Sequence, residues 1–148
     1  MSQQLRQDFR KITPKAYKLM IDLHTALGES SLGRSLIDLI YLRVSQINGC
    51  AYCVDMHGRD LLGQDQSFKR INSLITWRES PFYTEAERAA LAWAESVTRL
   101  SGERGSDAEY AALQAHFTDV EIVELTFVVS LMNMMNRVAI SLRQPVPQ

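Results

Sequence analysis

The C-terminal part of the chain contains the segment that most restricts the fold. Between Val120 and Ile140, apolar residues occupy most positions around a helical circumference. A helix that is apolar on nearly all sides is buried, and in a chain this small part of it should be covered by another subunit. Four polar residues repeat at intervals of four, three and four and would form one stripe along it: Thr126, Ser130, Asn133 and Arg137. This stripe either forms hydrogen bonds in the core or with a neighbouring subunit, or lines a substrate pocket.

The remaining chain also has helical periodicity. Apolar residues recur at intervals of three and four, whereas alternation at a period of two is hard to find. We therefore expect an all-α protein with a single helical domain over residues 1–148. Turn and capping residues predict the following helices: from Pro14 to Gly28, Arg34 to Ile47, near Cys50 to Gly63, Ser67 to Ile75, a capping box at Thr84–Glu87 to near Gly102, Asp107 to His116, and a second capping box at Thr118–Glu121 to about Leu142.

Composition excludes several classes of partner. The formal net charge of the 148-residue chain is -1, so we expect no nucleic-acid partner, because there is no basic field for phosphates. The first eight residues lack the apolar stretch of a secretion signal, and charged residues interrupt the longest apolar segment. We expect a cytoplasmic protein that does not span a membrane.

The only two cysteines, Cys50 and Cys53, form a Cys-x-x-Cys motif that is followed four residues later by His57. A disulfide across so short a loop adds only about 2 kcal/mol of stability, so redox exchange or metal binding explains the pair better than a structural cross-link. The helix that starts here offers free amides and a dipole that favour a thiolate. Because His57 shares a helix face with Cys53, we predict that Cys53 is the nucleophile and that Cys50 resolves its oxidised form.

Asp38 is the candidate that would orient His57. If the chain reverses near Asn48 and Gly49, Asp38 lies about 14 Å before the turn and His57 about 12 Å after it, nearly level across the helix pair. The alternative is that Asp38 is a surface residue, or that it pairs with Arg34 or Arg43. The other two histidines, His24 and His116, have no comparable neighbours, and we expect them to be structural.

The segment from Asp38 to His57 resembles the carboxymuconolactone decarboxylase family, and specifically its branch similar to the alkylhydroperoxidase AhpD. In that branch an acid precedes the first cysteine by twelve residues, and the cysteines and histidine have the spacing found here. The segments Thr84–Leu91 and Asn133–Arg137 extend the resemblance over most of the chain.

The resemblance implies an all-helical subunit that assembles into a homotrimer or homohexamer and reduces hydroperoxides. Cys53 would be the peroxidatic thiol and Cys50 the resolving thiol, with His57 and Asp38 as the proton relay. An external dithiol, such as a lipoylated protein, would be the reductant, with no bound cofactor or metal. The chain departs from the pattern twice: the acid is usually glutamate, and AhpD has a histidine at the position of Tyr52.

Two other functions are open. One is a general thiol–disulfide oxidoreductase. The other is a non-enzymatic stress protein, either an oligomeric scaffold or a metal-binding module that uses Cys50, Cys53, His57 and an acid such as Asp38 or Asp55. Structural zinc sites usually combine two ligand clusters, and this sequence has one.

Overall fold

The computed structural model describes residues 4–102 and 104–148, and every regular element in this part of the chain is helical. Residues 1–3, part of the segment inspected for a secretion signal, lie outside it. The elements are α1 (Phe9–Ile12), α2 (Pro14–Gly28), α3 (Arg34–Asn48), α4 (Ala51–Gly63), α5 (Phe68–Asn72), a 3₁₀ turn (Ser73–Thr76), α6 (Glu85–Thr98), α7 (Asp107–Gln114) and α8 (Asp119–Ser141). The predicted all-α fold is confirmed.

Helix α3 lies at the centre of the molecule. All nine consecutive residues from Ile37 to Ser45 are buried, because α4, α6 and α8 each pack against α3. This burial includes two charged side chains, Asp38 and Arg43. A charged group in the core is costly unless it is paired. We therefore expect Asp38 and Arg43 each to bind a residue of another element.

Most of the predicted helices are present, with some differences in their bounds. Both predicted capping boxes form, at Thr84 with Glu87 and at Thr118 with Glu121. The segment predicted as one helix from Ser67 to Ile75 is instead α5 followed by the 3₁₀ turn. Helix α6 ends at Thr98 and not near Gly102, because the chain has already left helical geometry at Arg99. The short α1 was not predicted.

Within this chain helix α8 is buried on one side only, so the rest of its circumference is left for the second subunit that the sequence analysis expected. Residues such as Leu125, Val128 and Met132 face α3 and α6, but an outer face remains exposed. The outer face of α8 consists of four residues: Val120 (65% exposed), Val123 (55%), Phe127 (54%) and Met134 (42%). By length and composition α8 could also cross a membrane, but in this fold it packs against α2, α3 and α6 and contributes to their shared core.

The polar stripe on α8 is divided between the interior and the surface of the fold. Thr126 accepts a hydrogen bond from Trp93 Nε1 at 3.0 Å, and Asn133 donates to Thr98 Oγ1 at 3.0 Å. Ser130 and Arg137 are exposed and line a shallow groove beside the end of α6. Half of the stripe is therefore hydrogen-bonded inside the fold, as the first alternative predicted.

A tight corner connects α3 to α4. Gly49 has a left-handed backbone with φ of 71°, which an L side chain adopts only at a cost, and the Cys50 amide then donates to Ser45 O at 3.0 Å. Asn48 Nδ2 donates to Asn136 Oδ1 at 2.9 Å, and Asn136 Nδ2 donates to Ser45 Oγ at 3.0 Å. This network fixes the corner to α8, so α4 runs back along α3.

Candidate active site

The cysteine motif lies at the first turn of α4, directly after the corner. Cys50 is the N-cap residue, and its sulfur accepts a hydrogen bond from the Cys53 amide at 3.3 Å. The two sulfurs are joined in a disulfide, with the Cα atoms 5.3 Å apart. Both residues are almost completely buried, at 1% and 3% exposure, and pack against Ala139 of α8. The predicted position at a helix start is confirmed, and the second sulfur is within bonding range of the first.

His57 lies one turn after Cys53 and is also buried, with 1% of its surface exposed. Its Nδ1 atom is 3.6 Å from Asp38 Oδ1 on α3 and 3.5 Å from Asp60 Oδ2 on its own helix. Both distances exceed a normal hydrogen bond, and neither ring nitrogen has a hydrogen-bond partner among the described residues. The structure thus brings Asp38 and His57 together across the helix pair, as the chain reversal at Gly49 requires.

Asp38 is completely buried, so the alternative that it is a surface residue is wrong. Its Oδ2 atom accepts hydrogen bonds from Arg34 Nε at 2.8 Å and from Gln64 Nε2 at 2.7 Å, which leaves Oδ1 facing His57. The pairing with Arg34 therefore occurs together with the contact to His57. The pairing with Arg43 does not occur, because Arg43 binds Glu95 on α6 at 2.6 Å.

Electrostatics favour an ion pair at this site. Burial alone would raise the pKa of Asp38, but His57, Arg34 and Gln64 together hold it below its ordinary value. Burial alone would lower the pKa of His57, but the carboxylates of Asp38 and Asp60 raise it above its ordinary value. An ionised Asp38 beside an imidazolium is the state that these contacts stabilise.

A cavity of about 120 Å³ lies next to the cysteine motif. Cys53 and His57 both line it, and most of the other lining side chains are apolar: Phe9, Tyr17, Met20, Ile21, Tyr52, Met56, Met132, Met135, Val138 and Ala139. Arg10 and Gln144 complete the lining. A second, more polar pocket lies over Cys50 and includes Arg143 and Gln144. The two cysteines are therefore reached from different cavities.

Sequence reasoning missed several residues of the site. Asp60 could have been found, because it follows His57 by three residues and so shares its helix face. Gln64, just after the end of α4, gave no such signal. Tyr41 packs on His57 with ring centroids 5.0 Å apart, and its buried hydroxyl has no hydrogen-bond partner among the described residues. Burial raises the pKa of Tyr41 well above its usual value, so its hydroxyl stays protonated.

The two histidines predicted to be structural differ in their surroundings. His24 stacks on Tyr41 with ring centroids 5.6 Å apart, and burial lowers its pKa. His116 is exposed just after α7. His24 is therefore separated from His57 by one aromatic ring, whereas His116 lies in another part of the fold.

The residues that could hold a metal are only partly those that the sequence suggested: Asp38 and His57 are retained, but Cys50, Cys53 and Asp55 are not. The two sulfurs are bonded to each other, and Asp55 pairs with Arg59 at 2.7 Å on α4. Ligand atoms of Asp38, His57 and Asp60 lie within 4.8 Å of one another and could contribute to a cation site. Because Arg34 already binds Asp38, a cation there would meet a neighbouring positive charge.

Comparison with known proteins decides the family. The model of the carboxymuconolactone decarboxylase family matches residues 14–96, which include Asp38, both cysteines and His57. The chain belongs to this family. Among curated relatives, the uncharacterised protein YdfG of Bacillus subtilis is 35% identical over 137 residues, covering 93% of each chain.

Solved structures of similar proteins share the fold. A protein of unknown function from Agrobacterium tumefaciens, a candidate antioxidant defence protein AhpD, is 41% identical with a TM-score of 0.93, covering 98% of this chain and 99% of the other. An uncharacterised peroxidase-related protein from Silicibacter is 27% identical with a TM-score of 0.81, covering 92% of this chain and 72% of the other. The AhpD-like fold that the sequence predicted is confirmed.

Proposed function

We propose that this family member is a thiol-dependent peroxidase that reduces organic hydroperoxides with the Cys50–Cys53 pair, in antioxidant defence. The observation that supports this most is the shared cavity. Cys53 lines an apolar space together with His57, whose other side faces two carboxylates. A nucleophile, a proton carrier and a group that orients the carrier are the parts that thiol chemistry needs.

The reaction starts from the reduced pair. The Cys53 thiolate attacks the distal oxygen of ROOH, the O–O bond breaks, and the sulfur becomes a sulfenic acid. The alkoxide that leaves takes a proton from the His57 imidazolium and departs as ROH. The Cys50 thiolate then attacks the Cys53 sulfur, forming the disulfide and releasing the sulfenic oxygen as water after protonation. An external dithiol reduces the disulfide and is itself oxidised to a disulfide.

The carboxylates have different parts in this scheme. Asp38 is completely buried and bound by Arg34 and Gln64, so it keeps its charge and orients the imidazolium. Asp60 faces the same Nδ1 atom but is 39% exposed, so it can exchange protons with water and restore His57 after each turnover. Asp38 is shorter than the usual glutamate, and its Oδ1 atom lies 3.6 Å from His57 Nδ1, which is within the range of an ion pair.

The pocket over Cys50 provides a route for the reductant. A thiolate that attacks Cys50 from this side displaces the Cys53 sulfur, which is the sulfur that the next hydroperoxide needs. A flexible dithiol such as a lipoyl group would reach it more easily than a folded protein, because Cys50 is only 1% exposed.

The test is a hydroperoxide assay on the pre-reduced protein with Cys53→Ser and Cys50→Ser variants. Cys53→Ser should lose essentially all reduction. Cys50→Ser should still consume one equivalent of hydroperoxide and accumulate a sulfenic acid that dimedone traps. Full turnover by Cys53→Ser would contradict the proposal.

The alternative is disulfide exchange between proteins. It predicts that the disulfide form of the protein oxidises a dithiol protein at the same rate with and without hydroperoxide. It also predicts that the His57→Gln variant consumes hydroperoxide at the same rate as the wild type. The burial of both sulfurs argues against it.

A further inference from the structure

The cavity beside Cys53 contains one feature that peroxide chemistry does not require. Arg10, in the short helix α1, is part of a lining that is otherwise mostly apolar. A charged side chain among apolar ones loses hydration, so its presence needs a reason.

Contacts within the fold do not neutralise this charge. Arg10 makes no ion pair with any residue in 4–102 or 104–148, whereas its neighbour Lys11 pairs with Asp8 at 3.2 Å. The guanidinium carbon lies 5.0 Å from the ring centroid of Phe9 and 5.7 Å from that of Tyr17, both of which also line the cavity. The two rings hold the guanidinium at the cavity without supplying an anion.

The described part of the lining includes no carboxylate, and its two ionisable nitrogen groups are Arg10 and His57. His57 has its own counter-charges, Asp38 and Asp60, both of which face its Nδ1 atom. Arg10 is therefore the group whose charge is left for a ligand. A planar guanidinium with several donors suits a carboxylate in particular.

We infer that the cavity binds hydroperoxides that carry a carboxylate on a compact apolar body, with Arg10 binding the carboxylate while the peroxide group faces Cys53. The volume of about 120 Å³ sets the size. It is smaller than an engineered cavity of about 150 Å³ that holds benzene, so the body is a short branched chain or a single small ring and not a long acyl chain. This inference rests on the proposed peroxidase function and adds the substrate class.

The experiment compares two hydroperoxides that differ in charge and by one methyl group. One is tert-butyl hydroperoxide carrying a carboxylate on one methyl group, and the other is the methyl ester of that compound. The wild type should have a kcat/KM for the acid roughly tenfold or more above that for the ester, since hydrogen bonds to a charged group contribute strongly where water is excluded. Arg10→Gln should remove this preference by lowering kcat/KM for the acid much more than kcat/KM for the ester.

Two further variants separate a specific contact from a general charge effect. Lys11→Gln removes the same charge from the adjacent residue and should keep the preference for the acid, because Lys11 does not line the cavity. Arg10→Lys keeps the charge without the planar geometry and should keep only part of the preference. Equal loss of the preference in Lys11→Gln and Arg10→Gln, or equal kcat/KM for acid and ester in the wild type, would overturn the inference.

A binding measurement keeps this test independent of the proposed activity. Titration calorimetry on the disulfide form should show binding of the corresponding hydroxy acid, weaker binding of its methyl ester, and loss of the difference in Arg10→Gln. If the hydroxy acid binds in this way and no hydroperoxide is reduced, the peroxidase proposal fails and the anion site stands. If hydroperoxides are reduced and the hydroxy acid binds no better than its ester, the anion site fails alone.

Discussion

At the scale of single residues, the site depends on one imidazole between two carboxylates with different access to water. Asp38 lies inside the core and is bound by two further donors, whereas Asp60 lies at the surface of α4. Both act on the same nitrogen of His57, so either can raise its pKa. Only the exposed one can also pass protons to solvent. The two acids therefore divide orientation and proton exchange between them.

Asp60→Asn should lower the pKa of His57, because one of the two carboxylates that stabilise the imidazolium is removed. NMR titration of the imidazole C–H signals measures this directly. A matched control is Asp55→Asn, since Asp55 lies on the same helix but pairs with Arg59. It should leave the titration of His57 unchanged.

The same variant has a pH-dependent effect on stability. The pKa of His57 is raised in the folded state, so its pairing contributes fully below about pH 6.5 and is lost as the pH rises through the folded-state value. Asp60→Asn should therefore lower the free energy of unfolding by less than about 1 kcal/mol near pH 6, and by progressively less as the pH rises through the folded-state pKa of His57. A larger loss at the higher pH in urea unfolding would contradict the assignment.

At the scale of elements, the corner between α3 and α4 determines where the chemistry is. Gly49 turns the chain, the Asn48–Asn136–Ser45 network binds the turn to α8, and Cys50 caps α4. As a result α4 runs antiparallel to α3 and carries His57 to the level of Asp38. A small change in the angle between α3 and α4 would move Asp38 and His57 too far apart to form an ion pair.

Gly49→Ala should lower the free energy of unfolding by about 1–2 kcal/mol, which is the cost of a left-handed backbone for an L residue with a Cβ atom. No atom lies within 4 Å of the new Cβ, so this cost is conformational and not steric. Gly58→Ala is the matched control. Gly58 is within α4 and equally free of obstruction, so that change should stabilise the protein by about 0.5–1 kcal/mol. Urea unfolding measures both, and a stabilising Gly49→Ala would refute the role of the turn.

At the scale of the whole molecule, the outer face of α8 is an apolar surface that the described part of the chain does not cover. Four large apolar side chains are exposed along one helix face, although the opposite face packs into the core. Exposed apolar stripes of this kind mark subunit contacts in oligomers. The homo-oligomer predicted from the sequence would cover this face with further copies of the chain.

We therefore expect sedimentation at a multiple of the 16.8 kDa chain mass. Phe127→Glu should reduce the mass, because it places a charge at the centre of the outer face of α8. Ile75→Glu changes a somewhat more exposed apolar residue (64%) on the 3₁₀ turn and should leave the mass unchanged. A wild type that sediments as a monomer at micromolar concentration would contradict this, because the outer face of α8 would then not be covered by another subunit.

The sequence by itself determined the features that depend on neighbours along the chain. Capping boxes, turn residues and helical periodicity predicted the principal helices, and helix spacing placed Cys53 and His57 on one face of α4. The same spacing would also have placed Asp60 on the helix face of His57. These features are local because a helix is built from contacts three and four residues apart.

Only the tertiary structure decided how distant segments meet. It showed that Asp38 binds Arg34 and Gln64 while facing His57, that Arg43 binds Glu95, and that α1 brings Arg10 to the cavity beside Cys53. It also showed that the outer face of α8 stays exposed. Periodicity cannot reveal such pairings, because each one depends on the angle at which separate helices pack, and that angle is set by the side chains of the whole core.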